Sequence, residues 1–370
     1  SPLPWSGELS NAVMTGFTTV NVCGAFLSSL LLLIWFRRHL RTPWLRVALV
    51  ILYASHWLQL VRFTFFYPVL VDAWAQVCCF AGLSCIAWYQ EKPGRWPLAA
   101  TAAVSTAGVF FREVTLLIPL AFLFARNPGA SWRNGFPYVS LTNAPRPAQW
   151  IPLVMSGLAL LWIRGFIVPT DPAFSMADHF GYRAISRSLV TYLLGWIVAF
   201  GPALFVVAFD WRAPAAFFAR HQALVVYMLG VAAIGWAASL ESSRHAIYWA
   251  TPVVYVLLGQ TIGRHPAWFR SPALVALLLA AQALTHRVFL ATPQPIEGDV
   301  RNVVPTVVLT PLGDDASYLH LFPNYVAAET AWLQLAQFAA LGVIILIWIG
   351  RRGWGERTRK QRPGWSGGPR

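Results

Sequence analysis

Five charged residues stand at the ends of apolar runs: Asp72, Arg112, Glu113, Glu241 and Arg244. An ionisable group near a hydrocarbon centre costs about 2.5–3.5 kcal/mol on insertion scales, so such groups tend to face a cavity and act there. In FYPVLVDAWAQ (66–76), Pro68 interrupts the chain and Asp72 follows one turn later. The N-terminal dipole of a helix favours a carboxylate at that position. It could orient a sugar hydroxyl, a base or a metal, or it could be a plain helix cap. In FFREVTLLIPL (110–120), Arg112 offers a planar fork to phosphate or carboxylate, and Glu113 accepts from a hydroxyl or from another arginine. A structural pair that locks two helices is the plainer explanation. In SLESSRHAIYWATP (239–252), Glu241, Arg244 and His245 crowd a short turn, with Tyr248 one turn further on. An arginine beside an aromatic at an interface suits a lipid-linked phosphate, and equally an anchor that snorkels to headgroups.

The elements that must position these residues are apolar helices. The chain is 57% hydrophobic and 11% charged, with mean hydropathy +0.54, outside the range of ordinary soluble domains. The apolar pattern predicts an all-α polytopic bundle with membrane segments near 13–36, 47–61, 69–90, 96–111, 114–125, 150–168, 189–209, 223–240, 246–263, 273–290 and 332–350. A spanning helix wants about 20 apolar residues. The segments 47–61, 96–111 and 114–125 fall short, and the last two flank Arg112 and Glu113, as a broken or re-entrant hairpin would. With the first loop outside, most of the 28 Lys and Arg fall in inside loops and in the tail, while most acids fall outside. All five opening residues then share the outside face, where Arg62 and Tyr67 join them.

The net charge of +14 therefore faces anionic headgroups and implies no nucleic-acid partner. Many of the 19 Trp lie near segment ends, as interfacial belts require. Cys23, Cys78, Cys79 and Cys85 all sit in apolar segments, with no ligand spacing and no disulfide framework. Residues 1–125 form an N-terminal bundle holding the first motifs, 126–149 an inside linker, and 150–350 a C-terminal bundle. The last carries outside loops 169–188 and 291–331, and 351–370 is a basic disordered tail. His179 beside Asp178, and His320 near Asp314 and Asp315, match no standard metal signature. No P-loop, dinucleotide fingerprint, nucleophile elbow or HExxH occurs.

Three short motifs carry a family likeness: Tyr67-Pro68-x-x-x-Asp72, Arg112-Glu113-x-x-Leu116-Leu117, and Ser243-Arg244-His245-x-x-Tyr248. In this order, between apolar segments, they resemble the bacterial multi-spanning glycosyltransferases of the GT-C type and their uncharacterised relatives. The likeness covers roughly residues 1–290. It implies transfer of a sugar from a polyprenyl-phosphate donor, at the outer face of the inner (plasma) membrane, with the C-terminus cytoplasmic. It implies Asp72 and Glu113 as catalytic carboxylates, with Arg244, Arg112 and Arg62 on the donor phosphate. Glu241, His245, Tyr248 and Tyr67 would position substrate, and Trp5, Tyr67, Tyr182 and Trp249 would offer stacking faces. No cofactor is fixed, and a divalent metal stays open. One departure is plain: the family's catalytic acid sits in the first outside loop, where this chain has only Glu8. The expectation is that the chain is a fragment whose base and first span lie upstream. The competing readings are a transporter or flippase of a lipid-linked or anionic substrate, and a non-catalytic membrane assembly protein.

Overall fold

The computed structural model describes residues 7–55, 72–125, 132–133, 136–137, 145–166, 189–237, 248–284, 335–336 and 338–351. The described fold is all-α apart from one two-residue antiparallel ladder, β1 (Trp132–Arg133) and β2 (Phe136–Pro137). The first half comprises α1 (Gly7–His39), α2 (Pro43–Ser55), α3 (Asp72–Glu91), α4 (Arg95–Val109), a 3-10 turn (Glu113–Leu116), α5 (Leu117–Phe122) and α6 (Ile151–Phe166). The second comprises α7 (Leu189–Phe200), α8 (Pro202–Phe209), α9 (Arg212–Arg220), α10 (Gln222–Ala237), α11 (Thr251–Arg264), α12 (Pro272–Leu284) and α13 (Phe338–Arg351).

Proline sets many of the starts. Pro43, Pro97, Pro152, Pro202, Pro214, Pro252 and Pro272 each fall in the first turn of a helix, where the missing N–H breaks no helical bond. In the first half α1 packs on α2 and α3, α3 on α4, and α4 on α6. The second half centres on α11, which packs on α8 and touches α1, α2 and α9. Trp35 of α1, itself buried, donates to the Pro252 carbonyl at 2.9 Å and ties the halves together. Close approach also needs Gly82, because a Cβ there would lie 2.5 Å from Ile118 of α5.

Burial runs opposite to that of a soluble helix. The buried residues of α6 are Pro152 and Ser156, while Val154, Leu158, Leu161, Trp162 and Phe166 are exposed. On α1, Ser28 is buried and Phe26 is 73% exposed. Exposed apolar faces of this extent mark surfaces meant for an apolar environment. Among the described residues, Thr15–His39 and Pro147–Phe166 are long and apolar enough to cross a membrane, and the bent pair α8–α9 would make a third. At 1.5 Å per residue, the 33 residues of α1 run to about 50 Å, beyond a hydrocarbon core of about 30 Å. The N-terminal polar stretch, expected as loop, is therefore already helical from Gly7, and Glu8 lies in the first turn.

Two other expectations change. The single segment 189–209 is broken at Gly201, whose φ of 53° and ψ of −135° suit only glycine, and Pro202 restarts the helix. The expected inside loop after it holds α9, which lies at 86° to α8. α9 buries Ala213, Phe217 and Ala219 and keeps Arg212 and Arg220 outward, a pattern suited to lying along an interface.

The helix ends sort into two poles. At one, Arg38 binds the Ser84 carbonyl at 3.0 Å and approaches Glu91 at 3.8 Å. Here too Asp210 meets Arg264 at 3.8 Å and His265 at 3.1 Å, and His265 stacks on Trp268 with centroids 3.7 Å apart. His221, between α9 and α10, packs on Phe217 and on His39. Burial, and then the Arg220 charge, lower the His221 pKa from 6.5 to about 4.

Two outcomes follow from this packing. Gly201→Ala should cost about 1–3 kcal/mol through backbone strain. Gly16→Ala, inside α1 where a Cβ meets nothing within 4 Å, should stabilise slightly, by up to about 1 kcal/mol. Thermal unfolding of both variants in detergent reads the contrast. Because the unfolded chain protonates His221 before the folded chain does, stability should be full above pH 6.5 and fall as the pH drops toward 4. His221→Phe should make that slope shallower in denaturation curves taken across the same window.

Candidate functional site

The site lies at the other pole, where α3 begins, α4 ends and α6 ends. Asp72 occupies the first turn of α3 and is 4% exposed. After α4 the chain turns through Phe110 and Phe111, with the Arg112 amide bonded to the Gly108 carbonyl at 2.9 Å. Arg112 then extends, at φ −155° and ψ 135°, before the Glu113–Leu116 turn. Thr115 holds this corner by donating its hydroxyl to the Arg112 carbonyl at 2.7 Å. Gly108 lets the corner sit against α4, since a Cβ there would come within 2.9 Å of Thr115.

The extended backbone sends Arg112 across to α3, where Nη2 donates to Asp72 Oδ2 at 2.7 Å. Such a charge-assisted contact, with its acid enclosed, is screened by water less than a solvated surface pair. The carboxylate is enclosed, whereas the Arg112 side chain remains 37% exposed. Its Nε is buried and accepted by no group among the described residues. Beside it, Glu113 is 53% exposed and receives Arg164 Nη2 at 2.5 Å. The two acids thus differ: Asp72 is closed off behind its arginine, whereas Glu113 stands at the surface.

Aromatic rings flank the pairs. Trp74 stacks on Phe111 with centroids 6.2 Å apart and donates to the Val20 carbonyl at 3.1 Å, fixing α3 to α1. Phe110 packs on Trp162, which packs on Phe166. Deeper along α3, one turn from Asp72, Gln76 accepts from the Tyr53 hydroxyl, which also lies 3.2 Å from Ser28 Oγ. Further in, Tyr227 bridges the Cys79 sulfur at 2.8 Å and the Trp249 carbonyl at 2.6 Å. Two separate groups of bonded polar side chains therefore lie within the bundle below the site.

Of the nine expected site residues, Asp72, Arg112 and Glu113 come together here. Tyr248 is buried in the core, 3% exposed, and its carbonyl accepts from Thr251 at 2.6 Å. Arg62, Tyr67, Glu241, Arg244 and His245 lie outside the described residues, as do Trp5 and Tyr182. Trp249, expected to offer a stacking face, is instead core, 5% exposed and facing no open surface. Sequence reasoning passed over Arg164, Trp74 and Trp162. Arg164 carries a visible signal, a lone cation closing an apolar run, and Trp74 sits two residues after Asp72.

Among the described residues no group of three or more His, Cys, Asp or Glu side chains gathers to hold a metal. Asp72 and Glu113 each engage an arginine, so these residues do not make a metal site by themselves. No family model, curated protein or solved structure matches the chain.

Removing one partner of a buried pair leaves the other charge stranded. Arg112→Ala should therefore lose about 3 kcal/mol, the low end of such penalties because Arg112 is partly exposed. Adding Asp72→Asn to Arg112→Ala should recover most of that loss. A double-mutant cycle from denaturation in detergent tests it, and strict additivity would mean the contact contributes nothing.

Proposed function

We propose that the chain is a polytopic membrane glycosyltransferase that moves a sugar from a polyprenyl-phosphate donor to an acceptor at the outer face of the membrane. The observation that carries this reading is the meeting of Asp72, Arg112, Glu113 and Arg164 at one pole, from three separate helices and away from the arginine-rich pole. The reading takes all eleven apolar segments as membrane-associated, the bundle in the inner membrane of a bacterial envelope, and the basic pole and C-terminus on the cytoplasmic side.

The chemistry divides among the residues as follows. The acceptor oxygen forms a bond to the anomeric carbon while the bond from that carbon to the phosphate oxygen breaks. The phosphate leaves with the electron pair, and the acceptor proton passes to a carboxylate. Glu113, exposed and beside the turn, is the described group best placed to receive it. Arg112, with Arg62 and Arg244, meets the charge that grows on the departing phosphate. Asp72 acts through Arg112 by holding its guanidinium at a fixed angle. Trp74 and Phe111 give the sugar ring an apolar wall.

The test uses the full chain in proteoliposomes with a radiolabelled polyprenyl-phosphate sugar. Glu113→Gln should lower the transfer rate by about 10²–10⁴-fold while the thermal midpoint changes little. Arg244→Ala should abolish transfer as well. Full transfer by Glu113→Gln removes the base assignment. Labelled substrate crossing sealed vesicles with no product formed would favour the transporter reading instead.

A further inference from the structure

An apolar groove of about 410 Å³ opens at the basic pole, far from Asp72 and Arg112. Its walls come from four helices: Trp44 and Ala48 of α2, Val206 of α8, Ile262 of α11, and Leu278 and Leu279 of α12. Trp44 is 64% exposed and Leu279 is 61% exposed, so they stand at its open side rather than in the core. From Trp44 to Leu52 the α2 wall runs about 12 Å at 1.5 Å per residue, directed from the pole into the bundle. A slot of this length suits one half of a single fatty-acyl chain.

Charge at the mouth selects the chain's owner. Arg46 adjoins the wall residue Leu45, Arg270 adjoins Phe269, and Arg264 follows Ile262 by two positions. Arg46 folds back on the Leu40 and Arg41 carbonyls, and Arg264 lies near Asp210. Arg270 is exposed and forms no ion pair among the described residues. Arg270 is thus the exposed cation next in sequence to a wall residue, and the wall also holds Trp44, an aromatic of the kind that sits at headgroup depth. We infer that this groove binds an anionic diacyl phospholipid of the leaflet at the basic pole, with half of one acyl chain in the slot and the headgroup phosphate on Arg270 and its neighbours. The inference rests on the membrane reading above but not on sugar transfer.

Native mass spectrometry of the detergent-purified full chain, titrated with phosphatidylglycerol or phosphatidylcholine, tests it. The wild type should retain phosphatidylglycerol about tenfold more strongly. Arg270→Gln should bring the two lipids close to parity, and Ala48→Trp, which fills the slot from an exposed position, should lose both. Equal retention of the two lipids by the wild type, or retention unchanged in Ala48→Trp, overturns the assignment. So does a polyprenyl phosphate that displaces phosphatidylglycerol from the same site. The detergent midpoint of each variant separates lost binding from lost folding. A wild type that fails to transfer sugar but holds phosphatidylglycerol sinks the enzymatic reading and leaves this one standing.

Discussion

A carboxylate enclosed at the edge of an apolar bundle has to find a cation or be left stranded, and the contact between Asp72 and Arg112 meets that requirement. Much of the local architecture can be traced from it. The pair joins the start of α3 to the corner after α4, and so fixes how far α4 can run before it turns. The corner in turn presents Glu113, and Arg164 brings the end of α6 to the same place. Four charges from three helices meet there, with Asp72 alone enclosed and the other three partly exposed, in an arrangement no single helix could provide. The aromatic contacts at Trp74 and Trp162 close the sides of this cluster and leave the outer edges of Arg112 and Glu113 open.

Charge placement also gives the bundle a direction. Arginine and histidine gather at one pole, where each described acid, Glu91 and Asp210, is already in contact with a basic group. The acid-bearing site lies at the other. The proposed orientation would set the arginines of the first pole beside anionic headgroups, where they are favoured. The exposed apolar faces of α1 and α6 lie between the poles, with serines turned inward. A chain folded in water would have reversed that arrangement.

Several parts of this were legible in the sequence. The all-α class follows from long apolar runs punctuated by proline, and Asp72 and Arg112, expected on one face, do meet. Both depend on one-dimensional periodicity and on the cost of burying charge. The partner of Glu113 was not legible, because Arg164 lies 51 positions away and its selection depends on α6 packing against α4. The break at Gly201 was passed over for a different reason. Its neighbours on both sides are strongly apolar, so hydropathy reads through a backbone conformation that only the glycine–proline pair betrays. Tyr248 and Trp249 show a third kind of miss. Aromatic type and nearness to a polar turn suggested a surface role, while packing against α10 and α11 placed both in the core.

The groove and the ion-paired site are separate consequences of how the same helices are spaced. Where α3, α4 and α6 come together, bulky rings and arginines fill the gap, and the surface left over is polar and aromatic. Between α2, α8, α11 and α12 at the basic pole, a space is left unfilled. The remaining void is lined almost wholly by aliphatic and aromatic carbon, so a polar ligand finds little there to hold it. A lipid chain can stay, because burial of its methylenes needs no directional bond. One pole is thereby suited to discriminate by charge and hydrogen bonding, and the other to be completed by the membrane itself.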